Sequence, residues 1–245
     1  MLKIKNQTDK SAEIYISGAI IDDEMGGAFE AWGDPGTGYE WPKEIRDQLD
    51  SLKGKDLTIY INSDGGLVNA GVAIANMIAR HDGHTVAVVD GWCCSIATQI
   101  FFAADERRMP SNAYLMIHKP AVGTYGNSDE LLEVAAILDT IQEGLETTYR
   151  KAAREGVTDK QIHDMTNAET WLTGAEAAEI FDIELTEPLQ AVACARGRAH
   201  FKNMPEGIRF IAEAKSDDKP QEDPDELAKA EIEIALALAK GAMLR

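Results

Sequence analysis

The sequence predicts an α/β protein, and three stretches carry that reading. Residues 56–62 alternate Leu57, Ile59 and Ile61 in the manner of a strand. Ser63-Asp64-Gly65-Gly66 follows as a turn, and 67–80 then places Val68, Val72, Ala75 and Ile78 at helical spacing. A second apolar run, 86–89, breaks at Gly91, passes through Cys93, Cys94 and Ser95, and continues as an apolar segment from 96 to 103 that suits a buried helix. Strand, glycine turn, helix and a further strand from Thr85 make a right-handed βαβ unit. The third stretch is a long helix from 129 to about 154. Its Leu131, Leu138 and Leu145 recur at heptad-like spacing, so it needs a partner surface in its own core or on a second subunit.

The remaining elements follow in order. Residues 13–21 form a strand with Ile14 and Ile16, and Gly18 marks a close backbone approach. Residues 22–41, rich in glycine, acid and aromatics, are expected to be a long surface loop. Pro42 opens a helix with Ile45, Leu49 and Leu52 on one face, closed by Gly54. After a turn at Pro110-Ser111-Asn112, residues 113–117 form a strand that ends at His118. Gly123 and Gly126 lie in a second glycine-bearing segment ahead of the long helix. A short helix at 158–165 comes next, and Glu169 falls in an irregular segment. A capping box, Thr173-Gly174-Ala175-Glu176, opens a helix at 174–181, and a short strand follows at 182–185. The chain thus divides into a domain at 1–190 and an extension at 191–245. The extension contains an acidic linker at 213–226, read as disordered, and a helix at 226–244.

Composition narrows the function. The chain has 245 residues and a net charge of -18, which repels nucleic acid and anionic membrane, so neither is expected as a partner. Three cysteines, Cys93, Cys94 and Cys194, give no disulfide framework and no zinc spacing. No metal and no cofactor is expected. The first residues lack a signal peptide's apolar core, and no run of about 18 apolar residues occurs. A soluble, cytoplasmic protein is the expectation.

Each chemical candidate has a plain alternative. Ser95, at a strand-to-helix junction, is either a helix cap or a nucleophile beside free N–H groups. The GxSxG elbow of α/β-hydrolases is absent. His118 is either a polar strand terminus or a base. Gly65-Gly66 is either a tight turn or a backbone that faces a ligand, and it matches no phosphate-binding loop. Acyl transfer needs a nucleophile, a base, a group that orients the base, and oxyanion donors. Ser95, His118 and Glu169 can fill the first three roles, and the N–H groups of Gly66 and Ile96 the fourth.

Five segments together carry a resemblance. They are Tyr60-Ile61-Asn62-Ser63-Asp64-Gly65-Gly66, Gly91-Trp92-Cys93-Cys94-Ser95-Ile96-Ala97, Met109-Pro110-Ser111-Asn112, Met116-Ile117-His118-Lys119-Pro120, and Glu169-Thr170-Trp171-Leu172-Thr173-Gly174-Ala175-Glu176-Ala177. On these the chain resembles the ClpP-like serine proteases, and most closely the head maturation (prohead) proteases of tailed bacteriophages and prophages. The resemblance implies a ClpP/crotonase-like spiral of ββα units with the long helix protruding as a handle between subunits. It implies a serine endopeptidase with Ser95 as nucleophile, His118 as base, and oxyanion donors at Gly66 and Ile96. The expected substrates are capsid and scaffold precursors, cut by a homo-oligomer, with a ring among its expected forms, in the host cytoplasm or the assembling prohead. Asp64 stands where the family has proline. Glu169 stands where it has the triad aspartate, with Asp164 as the fallback. Competing readings are an ATP-dependent Clp-type chamber protease subunit, a crotonase-fold coenzyme A enzyme, and a non-enzymatic capsid assembly factor.

Overall fold

Alternating burial builds the sheet from its first strand, β1 (Ser11–Ile20), where Ala12, Ile14 and Ile16 point into the core. The structure, a computed structural model, describes residues 4–32 and 38–188. The extension at 191–245, with its linker at 213–226 and helix at 226–244, lies outside the described residues, as do Cys194 and residues 33–37. Gly18 has φ 91°, and a β-carbon there would collide with the Gly38 carbonyl, so the close approach read from the sequence is present.

The expected loop at 22–41 is corrected in part. Residues 23–32 form helix α1 (Asp23–Trp32), whose first turn is held by the Asp22 carboxylate accepting from the Met25 N–H at 2.9 Å. Gly26 lets α1 seat on the Trp41 indole, where a β-carbon would sit 2.5 Å from the ring. That contact outweighs the helix cost of two glycines. A two-residue strand, β2 (Tyr39–Glu40), then pairs with β1, and α2 (Pro42–Ser51) buries Ile45 and Leu49.

β3 (Asp56–Gly66) is longer than expected. Gly65 and Gly66 do not turn the chain; they extend the strand, paired with Ala19 and Ile20 of β1. α3 (Val68–Ala79) leads to β4 (Thr85–Cys94), which lies parallel to β3 and completes the βαβ unit. Gly91 does not end this strand either. The register jumps from Ile61–Val89 to Ser63–Cys93, so β4 bulges at 90–92, and Asn62 Oδ1 accepts from the half-buried Trp92 N–H at 3.1 Å.

The bulge lets β4 change neighbours. Its first half pairs with β5 (Glu106–Pro110) and its last three residues with β6 (Tyr114–Ile117). Between them α4 (Ala97–Phe102) is wholly buried. The long helix is α5 (Ser128–Ala152), opened by a capping box between Asn127 and Glu130. α6 (Asp159–Ala168), β7 (Thr170–Thr173), α7 (Gly174–Ile180) and β8 (Glu184–Thr186) complete the domain. The sheet runs β2-β1-β3-β4-β5-β8, parallel throughout, with β6 on β4 and β7 antiparallel to β6. This is the α/β fold with a parallel sheet and helices that the sequence predicts.

The two halves of α5 differ. Leu145, Tyr149 and Ala152 are buried, whereas Leu131, Leu132 and Ile137 are exposed, the last two at 69% and 57%. The stripe read from the sequence therefore starts in solvent and ends in the core, where Tyr149 meets Phe102 and Phe181 with ring centroids 5.9 and 6.4 Å away. Among the described residues no helix is long and apolar enough to cross a membrane.

Candidate active site

Register alone brings the predicted residues together. β4 and β6 pair as Trp92–Tyr114, Cys93–Leu115 and Cys94–Met116, so the chain leaves both strands side by side, Ser95 from one and His118 from the other. The Ser95 N–H adds one more rung, donating to the Met116 carbonyl at 2.9 Å. His118 Nε2 then lies 2.8 Å from Ser95 Oγ. β6 and β7 pair antiparallel, ending at Ile117–Thr170, and the residues just beyond this pair are His118, leaving β6, and Glu169, entering β7. Glu169 is close enough for its charge to act on His118. Asp164, by contrast, is exposed on α6 and paired with Lys160 at 2.5 Å.

Two of these residues have unusual backbones. Ser95 has φ 55° and Glu169 φ 53°, both left-handed. Such a conformation costs a non-glycine residue about 1–3 kcal/mol and persists only where surroundings over-determine it. Glu169 is the residue that ends α6, with its N–H donating to the Thr166 carbonyl. α6 is itself pinned to α5 by a buried carboxylate. Glu146 accepts from Gln142 Nε2 and Arg150 Nη2, each at 2.7 Å, and its Oε1 lies 3.0 Å from His163 Nδ1. Trp171 packs edge-on against Trp92, 5.2 Å between ring centroids, which fixes β7 against the end of β4.

The glycine pair divides its tasks. A β-carbon on Gly65 (φ 94°) would stand 2.7 Å from Ser95 Cβ and 3.1 Å from the Ile96 nitrogen, so only glycine keeps the space before the serine clear. A β-carbon on Gly66 would collide with the Ile20 carbonyl of β1. Ser63 Oγ fixes the approach, donating to the Gly18 carbonyl at 2.5 Å and accepting from the Gly65 N–H at 3.1 Å. Ile96 caps α4 immediately after the serine. The candidate donors Gly66 and Ile96 thus flank Gly65 and Ser95 in sequence, at a point where the two segments touch.

Electrostatics suit a neutral imidazole. Burial holds His118 below its ordinary value of 6.5, and the Glu169 charge pulls the other way. The adjacent thiols are buried, and that burial pushes both Cys93 and Cys94 upward, so they stay protonated. Asp64, beside the glycines, is likewise raised by burial.

Sequence reasoning passed over Thr98 and Tyr149 as functional residues. Thr98 is fully buried, with its hydroxyl 2.5 Å from the Ser95 carbonyl and 2.7 Å from the Tyr149 hydroxyl. A threonine three residues after a serine at a helix start was a usable signal.

Fold and site together define a class: an α/β protein that brings a serine, a histidine and a carboxylate to the ends of β4, β6 and β7. The family model for Clp protease matches residues 43–180. The chain belongs to the Clp protease family. It is 33% identical over 129 residues to an ATP-dependent Clp protease proteolytic subunit of Streptococcus equi subsp. equi, covering 50% of this chain and 63% of that one. It is 28% identical over 134 residues to the subunit of the same description from Bacteroides fragilis, covering 54% of this chain and 64% of that one. The chain thus spans just under two thirds of the length of these curated relatives. A mutant ClpP1 from Listeria monocytogenes superposes with TM-score 0.56 at 26% identity, over 71% of this chain and 91% of that one.

Proposed function

We propose that the chain is a serine endopeptidase of the Clp type that works as a homo-oligomer. The 2.8 Å approach of His118 Nε2 to Ser95 Oγ, with the serine held in a left-handed turn, carries the reading. In this mechanism the neutral His118 takes the Ser95 proton as Oγ attacks a peptide carbonyl. Glu169 favours the tautomer with its proton on Nδ1 and stabilises the imidazolium as it forms. The N–H groups of Gly66 and Ile96 receive the oxyanion. His118 then returns the proton to the leaving amine, and water repeats the cycle on the acyl-enzyme.

The two named relatives support a proteolytic subunit that acts with an ATP-driven partner better than they support a prohead protease. Capsid and scaffold precursors remain the second reading. It is favoured by the sequence beyond Pro188, with its acidic stretch at 213–226, which lies outside the family match at 43–180. Coenzyme A chemistry and a non-enzymatic assembly role both leave the Ser95–His118 contact without a task.

A fluorophosphonate probe and an unfolded protein substrate test the proposal together. Labelling of Ser95 with cleavage of the substrate is the expected result. No labelling of the folded oligomer overturns it. Cleavage that depends on a co-purified ATPase favours the first reading, and cleavage of a co-expressed capsid precursor without one favours the second.

A further inference from the structure

The strained Ser95 peptide is held from both sides. Its N–H donates to Met116 of β6 at 2.9 Å. Its carbonyl accepts twice from Thr98, from the backbone N–H at 3.0 Å and from the hydroxyl at 2.5 Å. The Thr98 hydroxyl has one proton, and the Ser95 carbonyl takes it. The 2.7 Å contact between Thr98 Oγ1 and Tyr149 Oη therefore has the tyrosine as donor. Both side chains are buried, so neither hydroxyl exchanges its partner for water.

Tyr149 comes from α5, far along the chain, and is fixed by its own packing. Phe102 and Phe181 close on its ring, and Gln99 Nε2 donates to the Leu145 carbonyl at 3.2 Å, tying α4 to the same turn of α5. Burial pushes the phenol up to about 12, so it keeps its proton.

We propose that Thr98 and Tyr149 are positioning residues for Ser95: a buried chain of hydroxyls, from Tyr149 to Thr98 to the Ser95 carbonyl, holds the serine in its left-handed turn and aims Oγ at His118. The proposal rests on Ser95 being the nucleophile. Neither side chain touches substrate; both act through the serine's own peptide. The serine N–H is fixed by the sheet and its carbonyl by the helices, so both torsions at Ser95 are set from outside.

The test compares Thr98→Val, Thr98→Ser and Tyr149→Phe in the full chain. The readouts are the rate of fluorophosphonate labelling, kcat and KM on a peptide, and amide hydrogen exchange over residues 95–98. Loss of one buried hydrogen bond predicts that Thr98→Val lowers the labelling rate and kcat roughly tenfold with KM unchanged, and that Tyr149→Phe lowers them roughly threefold. Thr98→Ser keeps the hydroxyl and stays within about twofold. Exchange over 95–98 quickens in Thr98→Val. Labelling of Thr98→Val at the wild-type rate overturns the proposal, as does a Thr98→Ser variant as slow as Thr98→Val, which would assign the effect to packing. Should the wild-type chain resist the probe, the peptidase reading falls by itself and exchange decides here. Quickened exchange in Thr98→Val upholds the positioning role, and unchanged exchange overturns it.

Discussion

His118 and Glu169 lie side by side just beyond the last pair of the β6–β7 ladder, Ile117 and Thr170, the histidine leaving β6 and the glutamate entering β7. A carboxylate placed by register needs both its charge and its reach. Glu169→Gln keeps the reach and loses the charge, so it should lower kcat strongly, by roughly 10²-fold or more, while Ser95 still labels slowly. Asp164→Asn, on the exposed face of α6, should leave kcat unchanged. Steady-state assays that find the reverse pattern would assign the third role to Asp164.

Ser95→Ala should abolish cleavage without unfolding the chain. A methyl group fits among Cys94, Ile96 and Gly65, and the loss should reach roughly three orders of magnitude. Circular dichroism of the variant should overlay that of the wild type. Undiminished cleavage would remove Ser95 from the mechanism.

The pH profile follows from His118. Burial lowers its pKa below 6.5, so the acid limb of kcat/KM should fall below about pH 6.5. Glu169 opposes that shift, and Glu169→Gln should move the limb to still lower pH. Stability has a matching sign. The unfolded chain binds this proton more readily than the folded one, so the group's contribution is complete above 6.5 and is lost as pH falls below it. A limb above 6.5 in a pH–rate titration would contradict the buried imidazole.

Gly65→Ala should damage the site and the fold together. Its β-carbon would stand 2.7 Å from both Ser95 Cβ and the Cys94 oxygen, at φ 94°. A cost of about 1–3 kcal/mol in denaturant unfolding is expected, with labelling of Ser95 sharply slowed. Gly123→Ala meets nothing within 4 Å and should change neither.

The exposed start of α5 should be a subunit contact. Leu132→Glu with Ile137→Glu keeps helix propensity and places charge on that face, so light scattering should show a smaller species than the wild type. A wild-type chain that is already a monomer at working concentration would refute the contact.

The long strands were legible because each residue declares its face: Leu57, Ile59 and Ile61 inward, Thr58 and Tyr60 outward. The nearness of Ser95 and His118 was legible for the same reason, since both end apolar strands. What escaped the sequence was decided by contacts between distant segments. α1 was hidden by Gly26 and Gly27, whose poor helix propensity is overcome by the Trp41 ring. β3 was cut short at Asn62 because Gly65-Gly66 has the composition of a turn, yet β1 pairs with both glycines. β5, charged at Glu106, Arg107 and Arg108, lacks an apolar alternation and gains its place between β4 and β8. β7 is four residues long, too short for a periodic signal, and only its pairing with β6 defines it.

The late arrival of β7 has a consequence for the chain as it is made. The ribosome delivers Ser95 and His118 first, and Glu169 only after the whole of α5 and α6. At roughly 5–20 residues per second, about fifty residues separate histidine from carboxylate by a few seconds. On the proposed mechanism, a nascent chain in that interval holds a serine and an imidazole with nothing to set the tautomer, so full activity would wait for the strand that brings Glu169.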